Sequence, residues 1–371
     1  MSAAPNMLLR LALWLLVAPL LPGIINKVKA WVAGRRGPPV LQLYYDLAKL
    51  WRKGVVLSTA VSPGHIAGPA VAWVALAGAA MLLPLGPGGA VLSFRGDALL
   101  FVYLLAMARF CTACAALDTG SAFEGMGAAR EVSYAVLSEA ALLTALLTLG
   151  LQSGSVSLAT MLAPAPGAGV LLLAAGLFTV LLAENCRVPF DDPNTHLELT
   201  MIHEVMVLDH SGPPFAAILH GASLKLLIFA VLLAEAALPI GKLPPLAATG
   251  ALIGAVLTVA AGVGLVESLL ARLAFRQVPL LLTTAFLLCL FALLAAWKGS
   301  PMENTQHPTS NTQRPMDCIG SRDRNWMFDV VPKTIQNDVA QVGNLLCRRL
   351  AVGDTADCQS APQGSRKGIG A

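Results

Sequence analysis

The sequence predicts an all-α fold: a polytopic membrane bundle of about eight transmembrane helices, with an amphipathic helix on its cytoplasmic side. Three observations predict it. Hydrophobic residues make up 56% of the chain and charged residues only 12%, where soluble domains carry about 25% charged residues. Mean hydropathy is +0.70. Apolar stretches near the roughly 20 residues that cross a bilayer recur along the first 300 positions, separated by polar loops. Lipid cannot satisfy an open backbone, so helices are the spanning form.

The spans are expected at Met7–Ile25, Ile66–Leu85, Ala98–Leu117, Val132–Leu151, Gly169–Val188, Phe215–Leu238, Leu246–Leu270 and Pro279–Trp297. The first carries Arg10 but no small-residue cleavage signature before Asn26, so it reads as a retained span. Between the first two spans, Leu43, Leu47, Leu50 and Trp51 recur at helical spacing among Lys49, Arg52 and Lys53. That pattern predicts an interfacial helix, serving either as an anchor or as a docking surface. Gly262 and Gly264, in the seventh span, predict close helix packing. Cys111 and Cys114 form a C-x-x-C inside a span, where they read as small apolar fillers.

Charge sets the expected orientation. Lys27, Lys29, Arg35, Arg36, Lys49, Arg52 and Lys53 fill the first loop, and Arg130, Arg187, Arg272 and Arg276 lie in loops on the same side. The opposite loops hold only Arg95 and Lys242. The positive-inside rule places the first loop in the cytoplasm and, with an even number of spans, both termini outward. A net charge of +4 gives no argument for nucleic acid. Residues 1–300 form the expected membrane domain. The tail 301–371 is rich in Gln, Asn, Asp, Arg and Gly and lacks long apolar runs, so it is expected to be disordered or an appended artefact.

The ionisable residues in these apolar surroundings are the functional candidates. With straight helices, Arg109 and Glu139 lie at similar depth, about 10–12 Å in from the cytoplasmic side. They are expected either to pair or to face separate polar contacts. Glu184 and Arg187 sit near the inner end of the fifth span, at a spacing where they could meet. Lys225 is midway along the sixth span, Glu267 is near the inner end of the seventh, and Glu131 flanks the loop between the third and fourth. Acids and bases on different helices are best explained by one shared polar cavity, able to take and release protons.

The stretch AENCRVPFDDPNTHLELTMIHEVMVLDHSG, 183–212, is the most polar part of the bundle. Pro189 and Pro193 bracket Asp191 and Asp192, and a short surface helix is expected from about His196 to Val207, carrying Glu198 and Glu204. His203 and Glu204 open like H-E-x-x-H, but position 207 is Val, so the zinc motif fails. No phosphate-binding loop of the G-x-x-x-x-G-K-[ST] type occurs.

The same stretch resembles the complex I subunit 1 family, whose motif reads approximately A-E-T-N-R-x-P-F-D-x-P-E. Ala183, Glu184, Arg187, Pro189, Phe190, Asp191 and Pro193 match with spacing kept. The first loop and the expected span count agree, over about residues 5–300. Within the family, DDPNTHLELTMIHEVMVLDHSG and AFEGMGAAREVSYAVLSE look most like the membrane subunit of group 4 nickel–iron hydrogenases, the formate hydrogenlyase and hydrogenase-4 types. HLELTMIHE replaces the carboxylate-rich continuation of the quinone enzymes, and Cys186 interrupts the usual order. The resemblance implies a non-catalytic subunit of an oxidoreductase complex in the cell membrane. It would anchor a soluble arm made of the hydrogenase large subunit and the small, iron–sulfur subunit, and it would couple to antiporter-like membrane subunits. The iron–sulfur clusters and the nickel–iron centre would belong to those partners, and this chain would bind no cofactor or metal itself. By the same resemblance, Arg35 and Arg36 would dock the arm. Glu184, Arg187, Asp191 and Asp192 would line the coupling site, and Glu131, Glu139, Lys225 and Glu267 would continue the proton path. The alternatives are a quinone-binding subunit of respiratory complex I and, more remotely, a standalone secondary transporter, against which the lack of an internal repeat argues.

Overall fold

The computed structural model describes residues 3–84, 86, 89–162, 169–191, 201–238 and 243–299. They form a helical bundle. In chain order the helices are α1 (Ala3–Val17), α2 (Leu20–Val32), α3 (Gln42–Trp51), α4 (Pro63–Leu82), α5 (Asp97–Asp118), α6 (Ala122–Ser153), α7 (Leu158–Met161), α8 (Val170–Glu184), α9 (Gly212–Ala237), α10 (Pro245–Leu269) and α11 (Val278–Gly299). A 3₁₀ turn, Glu204–Val207, precedes α9.

Among the described residues, seven helices are long and apolar enough to cross a membrane. This is one fewer than the sequence led us to expect, and the difference lies in α8. It has 15 residues, about 22 Å of helix, short of a roughly 30 Å hydrocarbon core. The expected span ran on to Val188, but the helix stops at Glu184. Cys186 takes a left-handed backbone with φ +48°, which an α-helix cannot contain. The first span also differs. It runs Leu11–Val32 and is interrupted between α1 and α2 at Ala18 and Pro19, because proline has no N–H to donate to the preceding turn.

Local signals start the other helices. Ser62 caps α4 by accepting from the Gly64 N–H at 3.1 Å, with Pro63 at the first helical position. Prolines likewise open α9 and α10. The left-handed Gly154 ends α6.

The core is Leu- and Ala-rich and centres on α9, which runs buried from Leu226 to Glu235. Around it pack α4, α8 and α10; α4 pairs with α5, α11 with α6 and α8, and α10 with α2. Small residues permit the close crossings. A Cβ on Gly264 would stand 3.0 Å from the Ile25 carbonyl oxygen and 2.9 Å from Val28 Cβ, so α2 and α10 touch backbone to backbone there. Gly262, expected to do the same, meets nothing within 4 Å. The amphipathic helix is present as α3, lying against α9 and α2, with Leu47 buried and Tyr45 and Trp51 exposed.

Candidate functional site: a charged chamber at one end of the bundle

Four helices deliver ionisable side chains to one place. Arg109 on α5 forks between Glu139 on α6 and Glu184 on α8, and its Nε lies 3.6 Å from Glu131, also on α6. Lys225 on α9 reaches Glu184 at 2.8 Å, and the Ser138 hydroxyl donates to Glu184 at 2.6 Å. Glu131 and Ser138 are seven residues apart, two helical turns, so α6 presents both on one face. Two cations therefore meet three carboxylates, and one negative charge is left uncompensated. The three acids are graded: the Glu184 side chain is 2% accessible, Glu131 10% and Glu139 36%.

A second group lies beside the first. Glu267 on α10 is clasped by Lys29 from α2 at 2.8 Å and by Arg187 at 3.4 Å, so here two cations share one acid. The expected Glu184–Arg187 contact is thus replaced. The helix ends at Glu184, the backbone reverses at Cys186, and Arg187 is thrown toward α10 while Glu184 stays with Arg109. Arg187 also lines the chamber, a cleft of about 90 Å³ bordered by Arg109, Glu184 and Lys225 and by the apolar wall of Trp73 and Leu76. A second cleft of about 140 Å³ shares Asn185 to Arg187 and His203 with it and continues past Asp191 and Glu204 toward Leu43 of α3.

Asp191 organises the chamber's outer wall. It is buried, pairs with Arg272 at 3.0 Å, and accepts from the Ile202 and His203 N–H groups at 2.9 and 3.4 Å. Arg130 donates to the Met201 carbonyl at 3.0 Å and stacks over the Phe275 ring. Met201–His203 is therefore an irregular strap of bend and turn, and Glu204–Val207 is a single 3₁₀ turn, so this part of the helix expected from His196 to Val207 does not form; residues 196–200 lie outside the described residues. Gly127 admits the strap, since a Cβ there would stand 2.9 Å from the Ile202 carbonyl. Asp192, Glu198 and residues 301–371 lie outside the described residues. Arg35 and Arg36 are exposed beyond α2, where Lys27 donates to the Arg36 carbonyl at 2.8 Å.

Sequence reasoning did not single out Lys29, Ser138, Cys186, His203 or Arg272 for this neighbourhood. Lys29 and Arg272 were visible only as loop charges, and Ser138 carries no signal of its own. A stacked histidine pair, His65 and His210, with centroids 3.9 Å apart, sits near the start of α4 and α9.

Residues 6–298 match the family model described as NADH dehydrogenase, the complex I subunit 1 type. The chain belongs to this family. Among curated members, it is 34% identical to hydrogenase-4 component C of Escherichia coli K12 over 234 residues, covering 62% of this chain and 73% of that one. It is 33% identical to formate hydrogenlyase subunit 4 of the same organism over 296 residues, covering 76% and 95%. Its fold is similar to that of a chain in the membrane-bound sulfane sulfur reductase, an archaeal respiratory membrane complex, with a TM-score of 0.70 at 22% identity, covering 80% of this chain and all of that one. This family member is a multi-pass membrane protein.

Proposed function

We propose that this chain is the membrane-anchoring and proton-coupling subunit of a multisubunit redox complex of the group 4 hydrogenase or formate hydrogenlyase type. The observation that carries the reading is the convergence of Arg109, Glu131, Glu139, Glu184 and Lys225 in one ion-pair cluster with one carboxylate in excess. The names of the two Escherichia coli relatives support the type of complex.

A bound proton neutralises the excess charge, and its place follows from the accessibility gradient. Glu139 is the acid open enough to exchange a proton. Glu184, held by two cations and a hydroxyl, stays ionised and fixed. Arg109 reaches all three acids, so a small swing of its guanidinium toward Glu184 and Glu131 frees Glu139 to take a proton, and the return releases it. Arg187 borders the cleft and ends on Glu267, which extends the charged path toward α10 and α2. Asp191 and Glu204 form an acidic rim of this path. In this reading the first loop faces the cytoplasm. Arg35 and Arg36 dock a peripheral arm of large and small hydrogenase subunits, which carry the iron–sulfur clusters and the nickel–iron centre. Antiporter-like subunits take up the proton.

The test is Glu139→Gln in the intact complex. Assembly and hydrogen turnover with an artificial acceptor should persist while proton translocation into vesicles falls by about tenfold or more. Unchanged translocation would remove Glu139 from the path. Affinity purification of the solubilised complex with metal analysis checks the partners: nickel and iron should co-purify. The apolar wall formed by Trp73 and Leu76 favours one second reading, a quinone-binding complex I subunit, for which a quinone and NADH-linked subunits would co-purify instead.

A further inference from the structure

We infer that Glu131, Cys186 and His203 form a site for a divalent transition metal ion of the zinc class on the wall of the chamber. The three come from α6, the reversal after α8 and the strap before α9, so only the fold brings them together. Each offers one ligand atom, and these atoms all lie within 4.8 Å of one another. A thiolate, an imidazole and a carboxylate are a zinc donor set. With metal–ligand bonds of about 2.0–2.3 Å, tetrahedral ligands stand about 3.5 Å apart, so small side-chain rotations close the trio. All three residues line the chamber, which leaves the fourth position open to water or a small ligand.

Two features of the site are unusual for plain packing. Cys186 is the described non-glycine residue with positive φ, +48°, a conformation that needs support from its surroundings. Its thiol points at Glu131 Oε2 at 3.8 Å. His203 is held through its backbone N–H by Asp191, while its ring makes no hydrogen bond to a described residue. Electrostatics favours a cation here. Arg109 and Lys225 leave one negative charge among Glu131, Glu139 and Glu184. When the metal enters, the Cys186 S–H bond breaks, its proton leaves to water and a sulfur–metal bond forms. No electron is transferred, and the group gains one positive charge.

Binding does not depend on the coupling role proposed above. The full chain, purified in detergent under reducing conditions and stripped with chelator, is loaded with Zn²⁺, desalted and analysed for retained zinc. Co²⁺ loading reports a thiolate ligand through its sulfur-to-metal absorption. Wild type should retain one equivalent of zinc that Cys186→Ser and His203→Ala both lose, and Glu131→Gln should weaken binding by about tenfold or more. The double variant Cys111→Ala/Cys114→Ala should retain it. If Cys186→Ser does not fold, the partly exposed His203→Ala decides. No zinc retained by wild type, the same zinc retained by wild type and His203→Ala, or loss only in the Cys111/Cys114 variant would overturn the site.

Discussion

Arg109 is the residue on which the chamber turns, because one guanidinium serves three acids. Its planar fork can do this where a single ammonium cannot. Arg109→Leu would leave Glu131 and Glu139 without their cation and Glu184 with Lys225 alone, and breaking a buried pair in this way costs about 3–5 kcal/mol. The folded yield and thermal aggregation temperature in detergent should both drop, with Arg109→Lys falling between that variant and wild type. Outside the spans, burial, with the His65 ring beside it, pushes His210 down to about 4, from an ordinary value of about 6.5. The folded state resists protonation there, so the fold is fully stable above about pH 6.5 and loses stability as pH falls toward 4. Melting curves across that range should show a slope that His210→Asn flattens.

At the scale of elements, the α2–α10 crossing holds the second charge group together. Gly264→Leu would drive a side chain into the Ile25 carbonyl, and overpacking of this kind costs about 1–3 kcal/mol. It should also separate Lys29 from Glu267. Gly262→Ala, where space is open, should stay within about 0.5 kcal/mol of wild type. Paired thermal melts of the two variants in detergent check this contrast. The crossing shows how far sequence reading reaches: the glycines marked close packing, but which of the pair touches α2 depends on rotation about the α10 axis, which composition does not encode. The strap at Met201–His203 makes the same point. Its residues have helical spacing, yet Asp191 takes the Ile202 and His203 N–H groups that a helix would have used.

For the whole molecule, the bundle 1–300 is proposed to carry the function without the tail. Deleting residues 301–371 should leave membrane insertion and complex assembly unchanged, as read by membrane fractionation and co-purification of partners. Because α8 is too short to span, the bundle can place a non-helical turn and its charges at membrane depth, enclosed by neighbouring helices. The sequence by itself determined that the chain is a helical membrane bundle, where most helices lie, and that Glu184, Arg187 and Asp191 belong to a family motif. Those properties are written in runs of adjacent residues, and an apolar run must be helical in lipid whatever surrounds it. Only the tertiary structure decided which acid each base serves: Arg109 with three carboxylates, Arg187 with Glu267 rather than Glu184, and Cys186 beside Glu131 and His203. Pairing depends on helix rotation, crossing distance and one backbone reversal at Cys186, all set by packing between segments far apart in the chain.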